Sequence, residues 1–269
     1  MGRLADSTYP MLITIAIPAF NEEELLPSTL AAVAEASEVF TERGWKMEVV
    51  VCDNNSTDST AEIAEAAGAR VVFEEHNQKS RARNAAGNAA KGEWIIFVDA
   101  DSAPSKALFE ATAEAMNKKE IIGGGTTVKI EGRHGKEEER MCSDFTLAHL
   151  EWNARVGSRG LRCPLSQYCF LRTEDFHELN GYSEKHYAME ELEFGRRLKK
   201  LGKKRRQRVQ IFTQTPISTS DRKCYGTCIA RRQMKMFLLW VFTVGRSVRK
   251  IENCGYWYDV RRVKKSLGH

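Results

Sequence analysis

The stretch Ile95-Ile96-Phe97-Val98-Asp99-Ala100-Asp101 runs four apolar residues straight into two aspartates one residue apart. Carboxylates gathered at the end of a buried strand repel one another unless a cation meets them. Hard carboxylate oxygens in a loop suit Mg²⁺ or Mn²⁺, which keep several waters and bind substrate phosphates. The chemistry implied is the capture of a diphosphate through a divalent cation. Two other acidic positions join this pair: Asp53 ends the apolar run KMEVVVCD, and Glu190-Glu191 open the stretch EELEFGRRLKKLG. Taken singly each has an ordinary explanation. A D-x-D pattern is often a pair of solvated loop acids, and acids in a helix's first turn complement its dipole. Their order and spacing along one chain is a much stronger signal.

The elements that must hold these residues alternate over the first hundred positions. MLITIAIPAF, KMEVVVCD, ARVVFEE and EWIIFVDAD read as buried strands, since they are apolar runs rich in β-branched residues. Between them NEEELLPSTLAAVAEASEVFTERG reads as a helix with acids in its first turn and Gly44 after its last. STDSTAEIAEAAG opens a helix with a Ser59/Glu62 capping-box spacing, and SRARNAAGNAAKG a short polar one. Strands and helices in this alternation form βαβ units on a parallel sheet. Ligands of such sheets bind beyond the carboxyl ends of the strands, where Asp53, Asp99 and Asp101 fall. Two aspartates one residue apart at a strand end are expected to face the same side. Further on, a helix is expected over 106–118, a strand in IIGGGTTVKI, a helix in GKEEERMCSDFTLAHLEWNARVG, a strand in LSQYCFLRT, a turn in ELNGYSE and a helix in AMEELEFGRRLKKLG.

In combination, IAIPAFNEE, VVVCDNNSTDST, NQKSRARNAAGNAAKGEWIIFVDAD, FLRTEDFHELNGYSE and EELEFGRRLKKLG resemble the family 2 glycosyltransferases of the GT-A fold, over about residues 13–202. The resemblance implies an α/β fold: a mixed, mostly parallel sheet flanked by helices that binds a nucleotide-sugar with Mg²⁺ or Mn²⁺. It implies that Pro18, Phe20 and Glu22 line the nucleotide pocket, that Asp53 accepts from the base, and that Arg83 lies near the nucleotide or diphosphate. Asp99 would contact the ribose or a metal-bound water, and Asp101 would ligate the metal. The family commonly has Glu-Asp where this chain has Glu190-Glu191, and the second position is the general base. That points to Glu191, with Glu190 the other candidate because the longer side chain changes the reach. The reaction implied is a single displacement on a nucleotide-sugar, a UDP-sugar first among them, inverting the anomeric carbon. The acceptor is a hydroxyl on a lipid-linked molecule or a glycan, in a pocket built from residues 123–190. The Gln-x-x-Arg-Trp element of processive polysaccharide synthases is absent from the sequence, which argues for transfer of one hexosyl or N-acetylhexosaminyl unit.

Composition sets the remaining bounds. The 269 residues are 42% hydrophobic and 29% charged, as in soluble globular proteins. The seven cysteines are scattered and complete no zinc site, so free thiols in a reducing cytoplasm are expected. No apolar run is near the ~20 residues that cross a bilayer, and the amino-terminal MGRLADSTYP has no signal-peptide core. The net charge of +5 hides a division: residues 196–269 hold 21 Lys/Arg against 3 Asp/Glu, a surplus of 18, while residues 1–195 are acidic. Residues 1–220 are expected to form the catalytic domain and 221–269 a basic, partly amphipathic helical extension. An anionic membrane surface is the partner this charge suits, with the protein cytoplasmic or peripheral on the cytoplasmic face. A nucleic-acid- or membrane-binding protein with an inactive glycosyltransferase-like domain is the competing reading; it leaves Asp53, Asp99, Asp101 and Glu191 unexplained, and nucleic acid is the weaker partner. A haloacid-dehalogenase-like phosphatase also places D-x-D after a strand, but it needs Thr or Val where Ala103 stands.

Overall fold

A computed structural model describes residues 10–131, 167–220, 249, 250 and 254. Its elements are β1 (Leu12–Ala19), α1 (Leu26–Glu42), β2 (Lys46–Asp53), α2 (Thr60–Ala66), β3 (Arg70–Phe73), α3 (Lys79–Asn88), β4 (Trp94–Val98), β5 (Ser102–Ala103), α4 (Lys106–Met116), β6 (Ile121–Glu131), β7 (Tyr168–Arg172), α5 (Thr173–Glu178), α6 (Glu190–Lys204) and β8 (Arg208–Ser220). The helix expected between β6 and β7, and most of 221–269, lie outside the described residues.

The strands form one sheet in the order β3-β2-β1-β4-β7-β6-β8-β5. β3, β2, β1 and β4 are parallel neighbours; β7 runs antiparallel to both β4 and β6; β6 is parallel to β8, and β5 antiparallel to β8. The carboxyl ends of β1, β2, β4, β6 and β8 therefore share one edge. Side-chain alternation along β1 divides the core in two. Ile13, Ile15 and Ile17 pack with Leu26, Val33 and Phe40 of α1 and Phe109 of α4. Ala16, on the opposite side of β1, packs with Ala82 and Ala86 of α3, Phe176 of α5 and Phe194 and Leu198 of α6. Burial on both faces explains why these strands are continuous apolar runs.

Three local expectations change. The first helix begins at Leu26, with no acid in its first turn. Pro27 fixes that start, because proline lacks an N–H and clashes with the carbonyl four residues before it anywhere past the first turn. Glu22–Glu24 form the approach instead, and the Glu22 carbonyl accepts from the Leu25 and Leu26 N–H groups at 3.1 and 2.8 Å. In α2 the side chain of Ser59 makes no capping bond; Asp58 Oδ1 accepts from the Thr60 N–H at 3.1 Å and lies 2.5 Å from Thr60 Oγ1. β8, for which the sequence reading has no strand, pairs with β6 through an irregularity in which Thr126 faces Phe212 and Val128 faces Ile217. Pro216, which cannot donate to a ladder, lies in the bulge, and Thr126 Oγ1 approaches the Phe212 and Thr215 carbonyls at 3.1 and 2.6 Å.

Candidate active site

At the shared edge, the loops after β1 and β2 are laced together. Pro18 and Ala19 pair with Cys52 and Asp53, beyond Ala16, the last β1 residue paired with β4. Asn21 and Asn55 take the left-handed backbone, φ 52° and 62°, which asparagine tolerates better than most residues. Asn21 Oδ1 accepts from the Thr57 N–H at 2.8 Å, the Asn21 N–H donates to Ser56 Oγ at 3.0 Å, and the Glu22 N–H donates to Thr60 Oγ1 at 2.8 Å. Asp53 Oδ1 closes its own turn by accepting from the Ser56 N–H at 3.0 Å. Pro18, Glu22 and Asp53 are buried and Phe20 is half-buried. The positions expected to line a nucleotide pocket thus fall on one loop cluster.

Beside it, charged groups from α3, α6 and the end of β4 converge. Arg83, with 1% of its side chain exposed, donates through Nη2 to Asp99 Oδ1 at 3.0 Å and through Nη1 to Glu190 Oε1 and Glu191 Oε1, both at 2.9 Å. Lys79, one turn earlier on α3, reaches Asp99 Oδ2 at 2.8 Å and Glu191 Oε1 at 3.8 Å. The Tyr182 ring lies 5.2 Å from the Arg83 guanidinium carbon, a cation–π contact. Burial works against the Arg83 charge, but Glu191 and Asp99 outweigh it and hold its pKa well above the ordinary value.

Two neighbouring carboxylates in this setting part ways. Burial, then the charge of Glu191, pushes the Glu190 carboxyl up to about 8, against the pull of Arg83 and Lys79. Burial also pushes Glu191 upward, but Arg83 and Lys79 overcome it and hold the carboxyl below its usual value. Glu190 is thus the member of the pair biased toward the protonated form, and Glu191 the member biased toward the ionised form. Met189 just before them has φ 60°, unusual for a side chain of this size, and such strain is found where a site must be held in place.

The two aspartates of the D-x-D do not face one cation from a strand, as the alternation rule suggests. β4 stops at Val98, and the Ser102 N–H donates back to the Asp99 carbonyl at 3.1 Å, so Asp99–Asp101 form a turn. Asp99 faces α3, with Arg83 on one oxygen and Lys79 on the other. Asp101 faces β8: its Oδ1 lies 3.4 Å from Ser102 Oγ and 3.5 Å from Thr219 Oγ1, and its carbonyl accepts from the Ser220 N–H at 3.1 Å. Among the described residues no three metal-ligating side chains gather. A divalent cation held by one carboxylate, waters and substrate phosphate fits Asp101, whose long hydroxyl contacts a metal bond can replace. It does not fit Asp99 in its present pairing.

Sequence reasoning overlooked Lys79, although its place four residues before Arg83 puts both on one helix face. It also left open where the basic end lies. α6 begins with Glu190 and Glu191 and ends with Lys203 and Lys204, about 20 Å apart at a helical rise of ~1.5 Å per residue. The cations at the end of α6 stand at the opposite edge of the sheet, where the Arg208 N–H meets the Glu120 carbonyl at 2.7 Å. No helix among the described residues is long and apolar enough to cross a membrane.

Comparison with known proteins agrees with this architecture. An uncharacterized glycosyltransferase of Mycobacterium tuberculosis is 32% identical over 146 residues, 54% of this chain and 56% of the relative. The chain thus spans about half the length of such curated relatives. Among solved structures, the mannosyltransferase PcManGT from Pyrobaculum calidifontis, in complex with GDP-Man and Mn²⁺, has a TM-score of 0.62 at 19% identity, covering 86% of this chain and 63% of that one. Glucosyl-3-phosphoglycerate synthase from M. tuberculosis, in complex with Mn²⁺, UDP and phosphoglyceric acid, has a TM-score of 0.57 at 20% identity, covering 85% and 78%. At these identities the structural likeness shows the GT-A fold alone. The model of the family described as glycosyl transferase family 2 matches residues 14–171, more than half of the chain and every strand from β2 to β6 with all but the last residue of β7, and the chain belongs to that family.

Proposed function

We propose that the protein transfers one sugar from a nucleotide-sugar, a UDP-sugar first among the candidates, to an acceptor hydroxyl with inversion at the anomeric carbon. One observation carries this reading: Glu191, half-buried and held toward its ionised form, stands on the same Arg83 as Asp99, beside the loops that bear Asp53 and Glu22. Pro18, Phe20, Glu22 and Asp53 would border the nucleotide, with Asp53 accepting from the base. Asp99, fixed by Arg83 and Lys79, would present the sugar-ring side of the pocket. Asp101 would hold a Mg²⁺ or Mn²⁺ ion, which when bound offsets charge on the leaving diphosphate. Glu191 takes the acceptor's proton as the hydroxyl oxygen attacks the anomeric carbon and the bond to the diphosphate breaks. The neutral Glu190 keeps a second negative charge away from that base. No carboxylate is needed to form a covalent intermediate.

The acceptor, lipid-linked or glycan, would enter from the side of β6 and α6. A role at an anionic membrane face would rest on the basic chain after residue 220. The test is a thermal-shift screen with UDP-, GDP- and dTDP-sugars, each with and without Mn²⁺, since a ligand of the native state raises the melting point by mass action. A UDP-sugar that stabilises the protein in the presence of metal is the expected result. NMR of the product's anomeric proton then reads inversion. Stabilisation by none of the three classes defeats the proposal and favours the inactive binding module.

A further inference from the structure

Beside α3, a cleft of about 260 Å³ is lined by Asn84, Asn88, His177, Asn180, Gly181 and Glu184. We propose that it is a second sugar site, separate from the donor pocket, which holds a neutral sugar unit of a glycan. None of Asp53, Asp99, Asp101, Glu190 and Glu191 lines it. Asn84 and Asn88, four residues apart, share one face of α3. Arg83, one residue before Asn84, turns inward, where its three carboxylate partners let it clasp α3, α6 and the end of β4 together.

The wall of the cleft is built from fixed groups. Asn84 Oδ1 accepts from the Tyr182 N–H at 2.7 Å, and its Nδ2 donates to the Tyr182 carbonyl at 3.0 Å and to Glu184 Oε1 at 3.1 Å. Asn180 and Gly181 both take the left-handed backbone, φ 54° and 60°. A Cβ at position 181 would come within 2.4 Å of Asn84 Oδ1, so glycine lets the turn close on that side chain. Arg197 of α6 donates to the Leu179 carbonyl and, at 2.8 Å, to the Gly181 carbonyl, which pins the turn on both sides of Asn180. A turn held this firmly presents its side chains in one arrangement, and a non-glycine residue kept in the left-handed region is a feature of sites that must be held in place.

The lining selects the ligand. Three carboxamides, an imidazole and a carboxylate form it, with no aliphatic side chain among them. The one carboxylate, Glu184, is already paired with Arg81 Nη2 at 3.1 Å, so the wall has no unpaired charge of that kind to offer a cation. Asn88 and Asn180 are exposed, and among the described residues their amides have no protein partner. A carboxamide offers a donor and an acceptor side by side, which matches a pair of neighbouring sugar hydroxyls. The volume lies just below the range of about 300–1,000 Å³ for pockets that take larger ligands, and suits a single ring.

The experiment is saturation-transfer difference NMR of the full chain with the methyl glycosides of glucose, mannose and N-acetylglucosamine, and with cellobiose, mannobiose and chitobiose. It compares the wild type with the double variant Asn88→Ala, Asn180→Gly; glycine keeps the left-handed backbone while removing the amide. Both residues are exposed, so thermal melts of the two proteins should coincide. At least one probe is expected to bind the wild type, and loss of two hydrogen bonds predicts about a tenfold or larger rise in Kd for the variant. UDP with Mn²⁺ should leave the wild-type signal in place. Should the double variant lose its cooperative melt, Asn88→Ala alone is read, with about a fivefold rise expected. Absence of binding by every probe overturns the assignment, as does an unchanged Kd in the variant. Displacement by UDP also overturns it, because the sugar would then lie in the donor pocket. Calorimetry of the wild type with UDP and Mn²⁺ runs alongside. A probe lost only in the variant supports the sugar site even if UDP does not bind, and in that case the nucleotide-sugar reading alone falls.

Discussion

Glu190 and Glu191 share a single nitrogen: Arg83 Nη1 donates to Oε1 of each at 2.9 Å. One guanidinium between two adjacent carboxyls, of which Glu190 is buried, favours a proton on one of the pair. Burial pushes Glu190 up, whereas Arg83 first and then Lys79 hold Glu191 low, so Glu191 is the member biased toward ionisation. Two adjacent glutamates thereby acquire different chemistry from their surroundings alone. The ionised one can accept a proton and the neutral one can only donate or hold one.

The roles of the pair can be separated by amide substitution. Glu191→Gln removes the proposed proton acceptor and is expected to lower kcat by ~10²–10⁴, the usual contribution of a general base, while donor Kd changes little. Glu190→Gln resembles the neutral form already present and is expected to keep most of the turnover. Steady-state kinetics on the two variants checks both statements. The reverse pattern would move the base to Glu190.

The raised Glu190 carboxyl also predicts how stability depends on pH. Its value is about 8 in the folded protein against 4.5 for the ordinary group. Between those values the folded state binds more protons at this position than the unfolded chain, so stability falls as pH rises. The contribution is whole below about 4.5 and lost through about 8. Thermal melts from pH 5 to 9 should show the wild type losing stability relative to Glu190→Gln across that window. A constant difference between the two proteins would mean that Glu190 does not carry the proton. Glu191, held low, behaves oppositely: its contribution is present above the ordinary carboxylate value and lost only in more acid solution.

Arg83 is expected to matter as much to folding as to any ligand. Removing one partner of a buried ion-pair group leaves uncompensated charge and costs about 3–5 kcal/mol. Arg83→Met should therefore lower the denaturation midpoint far more than Lys79→Met, because Arg83 is 1% exposed and Lys79 30%. Urea unfolding of both variants reads the difference, and equal losses would mean that Arg83 is not the clasp described above.

The D-x-D turn makes a separate prediction about metal. Asp101→Ala should abolish the part of nucleoside diphosphate affinity that depends on Mn²⁺ and leave the metal-free affinity near the wild-type value. Asp99→Asn should instead weaken binding with and without metal, since Asp99 orders Lys79 and Arg83. Calorimetry in the two buffers distinguishes them. Metal-dependent affinity that survives in Asp101→Ala would place the ion elsewhere.

How much of this could be read from the chain depends on what each segment faces. β1, β2 and β4 are buried on both sides, and continuous apolar runs announce them. β8 is mostly half-buried and broken by a bulge at Pro216, so neither alternation nor an apolar run marks it. The acids of the site are legible because of their order and spacing along the chain, not because any one of them is distinctive alone. Their directions are not, because the turn at Asp99–Asp101 sends one toward α3 and the other toward β8, and that depends on contacts distant in sequence. Arg83 could be placed near the diphosphate by resemblance alone, whereas its three ion pairs join residues up to 108 positions apart.

The basic end of α6 lends itself to a last prediction. Lys199, Lys200, Lys203 and Lys204 of α6 and Arg206 just beyond it are exposed, and those of the helix stand about 12 to 20 Å along it from Glu191. Were they the surface that meets an anionic bilayer, the edge bearing Glu191 would face away from it, and a lipid-linked acceptor could not easily reach the base. The chain after residue 220 carries further Lys and Arg and the apolar run from Met236 to Phe242, a combination suited to the headgroup boundary. Neutralising these five cations should therefore leave turnover and donor Kd unchanged and lower co-sedimentation with anionic vesicles only modestly. Replacing Arg231, Arg232 and Lys235 should lower it strongly, and both effects should shrink at high salt as the charges are screened. Loss of vesicle binding in the α6 variant alone would assign the contact to the far edge and rule out a membrane-borne acceptor at this site. Absence of binding by the wild type at low salt would remove the membrane from the account.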